Sequence, residues 1–440
     1  MVATAAAVEP ALARAFEAAR GEDRPPGPAY LDFPTDLLRS AADPAANASE
    51  QEAQPTAGLA PEPASIARAA RSLEGARRLL VISGRGAIGA SVSLARYLER
   101  SGAVHLETAE SRGAVPDDHP AQAPAVRARA MAEADLVLTL GRRLDFQLAY
   151  GSPAIFRSAR AFLRGGRSDD ELHGNREPEV ALRGDLVQIL EGLLAAGAHP
   201  QDPDLVWRDE LHRASQEREQ RLLSELQNPP PTTDGAIHPY ALLAAVREVL
   251  DPETTLVADG GDILSFARLA LRSRRWLDPG PLGCLGVGVP FAVAAALTRP
   301  GTRVLAVIGD GAFGLSAMEV ETAVRCGARA VFIVADNRGW NIERHDQEAR
   351  YGGNLVGVEL GGHYDELARA LGAHGERVEE AADLRPALAR ALASAPALVA
   401  VRVSRSPLSP DSRSGLAWVP DRQALASWDT AEADWSGGPA

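Results

Sequence analysis

Two short apolar runs, residues 304–308 (VLAVI) and 330–334 (AVFIV), bracket a stretch with helical spacing at 316–326 (SAMEVETAVRC). Runs of this length, rich in β-branched residues, read as strands buried on both faces. The spacing between them predicts one helix, with Met318, Val320, Ala323 and Val324 on or near its buried side. The first run breaks at Gly309-Asp310-Gly311 and the second ends at Asp336-Asn337. Strand, glycine-flanked carboxylate, helix, strand and Asx pair in succession describe a βαβ unit. In an open parallel sheet, ligands bind outside the carboxyl ends of the strands, and both polar clusters fall there.

The same alternation covers most of the chain. Over 63–196 it predicts a helix at 66–73, a strand at 78–83 and a helix at 91–101, with Gly84-Arg85-Gly86-Ala87-Ile88-Gly89 between the last two. A G-x-G-x-x-G directly after a strand and opening a helix is the context in which Gly84, Gly86 and Gly89 would let backbone meet a nucleotide phosphate. Glu107 or Glu110 would be the acidic residue further on. Glycine at such turns also serves packing alone. Residues 197–235 form a connector, a charged helix at 205–226 ending at Pro229-Pro230-Pro231. Residues 236–428 repeat the pattern. A helix from His238-Pro239 leads to a strand at 255–258, which stops at Asp259-Gly260-Gly261-Asp262. The glycine-dense run 278–290 suggests backbone lying close to a ligand or a second subunit. Helices at 364–371 and 384–392 and a strand at 397–403 complete this unit.

At the N-terminus, residues 1–40 offer one amphipathic helix (9–20) and a short strand (29–33), too little to bury a core. Residues 41–62, rich in Ala, Pro, Glu and Ser, read as a linker, and 429–440 as a tail after the Ser/Pro/Asp-rich stretch carrying Trp418 and Trp428. The expected fold class is α/β. It comprises two doubly wound parallel-sheet domains, a central Rossmann-like one and a C-terminal one, plus an N-terminal remnant.

Composition narrows the functional classes. A chain of 440 residues exceeds one core, and 45% hydrophobic with 24% charged residues is the balance of a soluble globular protein. A net charge of −13 argues against a nucleic-acid surface. No stretch is long and apolar enough for a membrane span, and no basic region followed by an apolar core opens the chain, so a cytoplasmic location is expected. The two cysteines, Cys284 and Cys326, lack metal-ligand spacing and suit a reducing compartment. Cys284 reads as a small buried hydrophobe, and His119, beside a proline, as a turn residue.

The chemistry implied by the first βαβ unit is a divalent cation holding a diphosphate. Asp310 and Asn337 supply hard oxygen ligands, and Gly311 leaves room for backbone N–H groups to approach phosphate oxygens. Gly309-Asp310-Gly311, 25 intervening residues and then Asn337-Arg338-Gly339 resembles the signature of thiamine diphosphate enzymes, with Asp336 standing where the common form has Asn. The resemblance implies that Asp310, the Asn337 side chain and the Gly339 carbonyl hold Mg²⁺ against thiamine diphosphate. It implies that Asp259, Gly260, Gly261, Gly309, Gly311 and Ala312 meet the diphosphate. Leu285 would prop the cofactor in its bent shape, the Gly283 carbonyl would accept from its amino group, and Trp340 would cover it. Asn341, Glu343 and His345 are candidates for the substrate pocket. The motifs look closest to the acetolactate synthase, oxalyl-CoA decarboxylase and 2-hydroxyacyl-CoA lyase group. Ser111-Arg112-Gly113 and Gly141-Arg142-Arg143-Leu144-Asp145 extend the likeness to the central domain, where FAD, ADP, a CoA moiety or no ligand all stay open.

One part of the family pattern is lacking. Pro25-Pro26-Gly27-Pro28 and Pro34-Thr35-Asp36 resemble the close of a pyrimidine-binding domain, and most of that domain does not precede them. In the family a glutamate of that domain activates the cofactor, so no residue here is assigned as catalytic. Glu319 reads as a structural or interface carboxylate. A partner chain carrying the domain, a truncated reading frame and a subunit without chemistry of its own are the three explanations. The expected function is a lyase, carboligase or decarboxylase for a 2-oxo acid or 2-hydroxyacyl-CoA, working in a homo- or hetero-oligomer. The alternative is a non-catalytic cofactor-binding or regulatory subunit.

Overall fold

The fully apolar runs become strands covered on both faces. In the computed structural model, which describes residues 2, 4–20, 27–40 and 59–414, they build two separate parallel sheets. The first comprises β1 (Leu79–Ser83), β2 (Val104–Glu107), β3 (Leu136–Leu140), β4 (Ala161–Gly166) and β5 (Val180–Arg183) in the order β2-β1-β3-β4-β5. Side-chain alternation sends Leu79 and Val81 into one apolar cluster and Leu80 and Ile82 into the other. Helices on both faces are therefore required.

The second sheet comprises β6 (Thr255–Asp259), β7 (Arg275–Leu277), β8 (Val304–Gly309), β9 (Ala330–Asp336), β10 (His374–Val378) and β11 (Ala397–Arg402) in the order β10-β11-β9-β8-β6-β7. Leu305 and Val307 point into one core, and Val304, Ala306 and Ile308 into the other. Asp259 pairs with Ile308 and Gly309 with Ala335, so the carboxyl ends of β6, β8 and β9 finish level with one another. The helix Leu205–Gln227 joins the two units. Trp207 and Leu211 are buried in the first core and Leu226 in the second.

A second tie runs directly between the sheets' loops. The Arg112 guanidinium stacks 4.4 Å from the centre of the Trp276 ring and donates to the Arg268 carbonyl at 3.0 Å. Its Nε lies 3.6 Å from the Glu107 carboxylate, and Glu107 accepts in turn from the Gly113 N–H at 3.1 Å.

Three local expectations are corrected. The helix expected at 316–326 is two, Asp310–Ser316 and Glu319–Cys326, and Met318 between them is 63% exposed. Residues two apart do not share a helix face, so Val320 and Ala323 take the core and leave Met318 outside. Residues 29–33 form no strand and pair with no described strand; the Asp32 carbonyl accepts one bond, from the Val2 N–H. The glycine motif after β1 winds first as a 3₁₀ turn, Arg85–Ala90, before the helix Ser91–Ser101. Residues 41–58 of the expected linker, Trp418, Trp428 and the tail lie outside the described residues.

Candidate active site

β8 ends at Gly309, and Asp310 opens a helix directly from the strand. This sharp entry buries the Asp310 carboxylate, which is 3% exposed. Its Oδ1 accepts from the Gly311 N–H at 2.9 Å and its Oδ2 from the Gly339 N–H at 3.0 Å. Burial first, and the neighbouring Asp336 carboxylate second, push its pKa up to about 7 against these N–H bonds. No Lys, Arg or His among the described residues forms an ion pair with it. A buried carboxylate held by two amides and lacking a positive partner is suited to a cation.

The next strand end faces it. After β9 the chain turns through Arg338, which holds φ +59°, a left-handed conformation that costs a non-glycine residue of the order of 1 kcal/mol. The turn is stitched by its own side chains. Asp336 Oδ1 accepts from the Arg338 N–H at 3.2 Å, and Asn337 Oδ1 from the Gly339 N–H at 3.1 Å. Gly339 then forms an antiparallel bridge with Glu359, approaching so closely that an added Cβ would sit 2.4 Å from the Val358 carbonyl. Among the described residues no group of three His, Cys, Asp or Glu side chains could hold a metal. One carboxylate, one amide and one backbone carbonyl form a partial donor set of hard oxygens. Such a set fits Mg²⁺ that takes its remaining ligands from water and phosphate.

The third strand end anchors a loop. Asp259, fully buried, accepts from the N–H groups of Gly260 (2.7 Å), Gly286 (2.9 Å) and Gly288 (2.8 Å). Burial raises its pKa and these bonds oppose the rise. It thereby pins the segment carrying Leu285 against the end of β6. Gly283 and Gly286 adopt φ of +65° and +92°, and the turns they make point Cys284 outward. The expectation of a buried Cys284 is corrected on this point, since the residue is exposed.

Gly260, Gly261, Leu285, Gly309, Asp310, Gly311, Ala312, Asn337, Gly339 and Trp340 are brought around one cleft, together with Asn341 and Glu343. Asp259 and Gly283 are not brought into its lining, and His345 lies on the helix Asn341–Arg350 with its Nε2 3.2 Å from the Asn341 amide. Glu319 is exposed, and the His119 Nδ1 accepts from the Ala121 N–H at 3.1 Å within its turn. The cleft also holds a residue the motif did not single out. Asp262, buried, accepts from the Asn341 amide at 2.9 Å and from the Ser412 hydroxyl at 3.2 Å. Sequence pointed to Asp262 only as a neighbour of Gly261. Its partners lie 79 and 150 residues away.

In the first sheet the glycine motif is largely consumed by packing. A Cβ on Gly84 would meet the Gly141 carbonyl oxygen at 2.0 Å, and one on Gly86 would lie 3.1 Å from Leu186. Gly89 alone of the three faces open space. Beside the motif, Arg85, Glu110, Arg142 and Arg143 border a cleft whose other wall is Trp276, Pro279 and Phe291 of the second unit.

Comparison with known proteins agrees with this arrangement. Residues 259–401 match the family described as "Thiamine pyrophosphate enzyme, C-terminal TPP binding domain", and 66–193 match "Thiamine pyrophosphate enzyme, central domain". A probable acetolactate synthase of Mycobacterium bovis is 35% identical over 401 residues, which cover 89% of this chain and 71% of the relative. The 2-hydroxyacyl-CoA lyase 1 of Mus musculus is 30% identical, covering 83% of this chain and 66% of the relative. The oxalyl-CoA decarboxylase of Escherichia coli is 31% identical, covering 84% and 66% respectively. The chain belongs to the thiamine diphosphate (pyrophosphate) enzymes, in the group that includes these three. No described helix is long and apolar enough to cross a membrane.

Proposed function

We propose that the protein is a Mg²⁺- and thiamine diphosphate-dependent lyase, carboligase or decarboxylase for a 2-oxo acid or a 2-hydroxyacyl-CoA. The observation that carries this reading is the buried Asp310 carboxylate, without a cationic partner, opposite the Asn337–Gly339 turn. Asp310, the Asn337 amide oxygen and the Gly339 carbonyl hold the metal. The N–H groups of Gly261 and Ala312 receive diphosphate oxygens, those of Gly260 and Gly311 being held by the Asp259 and Asp310 carboxylates, and Leu285 supports the cofactor from the opposite wall. When bound, thiamine diphosphate supplies a nucleophilic carbon and an electron sink for making or breaking a C–C bond. Trp340 and Ile342 keep water from the inner end of the cleft, and Glu343 stands where substrate enters.

The activating glutamate comes from a partner chain with a pyrimidine-binding fold. Support comes from exposed apolar side chains on the segments that line the cleft, Leu282 at 84% in the loop of Leu285 and Leu315 at 62% on the helix of Ala312, which a partner would cover. An ADP, FAD or CoA moiety belongs in the cleft between Arg143 and Trp276. There, phosphate would meet Arg85 and Arg143 in exchange for their pairing with Glu110 and Asp170, while Gly86 and Gly89 border a separate pocket beside Leu186.

The test is thermal melting with Mg²⁺ and thiamine diphosphate. Cofactor at about a hundred times its dissociation constant should stabilise the protein by about 2.7 kcal/mol. Asp310→Ala should abolish that gain while leaving the cofactor-free protein as stable as before or more so. Hydrogen–deuterium exchange at the cofactor's C2, followed by NMR, should stay near the free rate until the partner chain is added. Equal stabilisation of wild type and Asp310→Ala would overturn the metal assignment.

A further inference from the structure

One side chain outside the signature reaches the turn that faces Asp310. Arg405 follows β11, which lies beside β9 in the sheet. Its Nε donates to the Asn337 carbonyl at 3.2 Å and its Nη2 to the Arg338 carbonyl at 3.2 Å. Its Nη1 donates to both oxygens of Glu359, at 3.1 and 3.2 Å. Glu359 also pairs with Arg344 and forms the bridge opposite Gly339. Arg405 itself is anchored from behind, since its backbone N–H donates to Asp234 at 3.3 Å and its carbonyl accepts from the Asn341 amide at 3.2 Å.

We infer that Arg405, seated by Glu359, is a positioning residue that holds the Asn337–Gly339 turn in its metal-facing form. The inference rests on the proposed metal role of that turn. It follows from the backbone geometry. Arg338 is left-handed, and of the two carbonyls at this turn that of Asn337 takes its donor from Arg405, while that of Arg338 also accepts from the Leu360 N–H at 3.0 Å. A planar guanidinium meets both with one side chain, while its third edge is fixed by a carboxylate from the strand-like segment crossing Gly339. An ammonium in its place would be a single point donor. The pair is half exposed at Glu359, so its Coulomb attraction alone would contribute little. Its effect is to restrict where the two carbonyls can lie. Asp310 receives one of its two N–H bonds from Gly339 in that turn, so displacement would loosen the carboxylate and the amide together.

The experiment reads metal rather than turnover. Mn²⁺ uptake in the presence of thiamine diphosphate is titrated by electron paramagnetic resonance on the full chain, with melting temperature measured alongside. Wild type, Asp310→Asn, Arg405→Met, Arg405→Lys and Glu359→Gln are compared. Arg405→Met should weaken Mn²⁺ binding about tenfold, the lower end of the range for groups that orient metal ligands. Arg405→Lys should recover little of it, and Glu359→Gln should give a smaller loss at unchanged melting temperature. Mn²⁺ binding by Arg405→Met and Glu359→Gln equal to wild type, with Asp310→Asn impaired, would overturn the inference and leave the metal site standing. Uptake unaffected by Asp310→Asn would instead remove the metal site on which it rests. Should Arg405→Met fail to fold, Glu359→Gln decides the matter alone.

Discussion

The Trp340 ring lies on the bare α-carbon of Gly311, where an added Cβ would come within 2.5 Å of the ring. The glycine after Asp310 therefore serves two purposes. It keeps a side chain out of the start of the helix, where its own N–H is held by Asp310, and it seats the aromatic wall of the cleft. Gly311→Ala forces the ring out and should cost about 1–3 kcal/mol of stability, with a shift in tryptophan fluorescence and weaker thiamine diphosphate binding. Gly314→Ala in the same helix meets nothing within 4 Å and is the matched control, expected to be neutral or slightly stabilising. Equal behaviour of the two variants would contradict the seating argument.

Asp259 is expected to matter without touching the cofactor. Asp259→Ala removes both oxygens and leaves the N–H groups of Gly260, Gly286 and Gly288 without that acceptor. Urea unfolding should show a loss of about 2–4 kcal/mol, and limited proteolysis should begin near residues 283–288. An unchanged cleavage pattern would mean that the loop is held by other contacts.

The tie between the units is open to a double-mutant cycle. Arg112→Ala leaves the Glu107 carboxylate buried with only the Gly113 N–H, a loss of the order of 3 kcal/mol. Adding Glu107→Gln removes the stranded charge and should restore part of it. Two single losses that simply add would show that the pair is not coupled.

His105 gives the first sheet a built-in acid sensitivity. Its Nε2 meets the Ser83 hydroxyl at 2.8 Å and its Nδ1 the Gln122 side-chain Oε1 at 3.1 Å, fully buried. Burial, above all, lowers its pKa from 6.5 to about 4. The unfolded chain thus binds the proton more readily, so stability from this group is complete above pH 6.5 and is lost as pH falls towards 4. The full span is of the order of 3 kcal/mol. His105→Gln should flatten the stability profile between pH 4 and 6.5, and a profile as steep as wild type would assign the acid sensitivity elsewhere.

How much of this was legible in the sequence depends on distance along the chain. Asp310, Asn337 and their glycines were readable because one βαβ unit fixes them at adjacent strand ends, and the spacing carries the geometry. Of the strands, β1, β6, β8, β9 and β11 were readable because burial on both faces leaves them almost wholly apolar, whereas β2 (VHLE), β7 (RWL) and β10 (HGERV) carry polar residues and were not. Arg405 and Glu359 were not, since an arginine within SRSPLSP looks like any solvated residue until β11 is laid beside β9. The exposure of Cys284 and Met318 depended on left-handed glycines and on a helix break, which apolar spacing does not encode. Gly84 and Gly86 show the reverse case. Their motif is real, but the space a Cβ would need is filled by Gly141 and Leu186.

The strand order sets a timetable for synthesis. β11 is the last of the described strands, yet it inserts between β9 and β10 rather than adding at an edge. While the ribosome is still translating residues 337–396, the apolar β9 has one side unpaired and the Asn337 turn has no arginine to hold it. Until β11 arrives, β9 presents an unpaired apolar edge, the kind of edge on which misassembly starts.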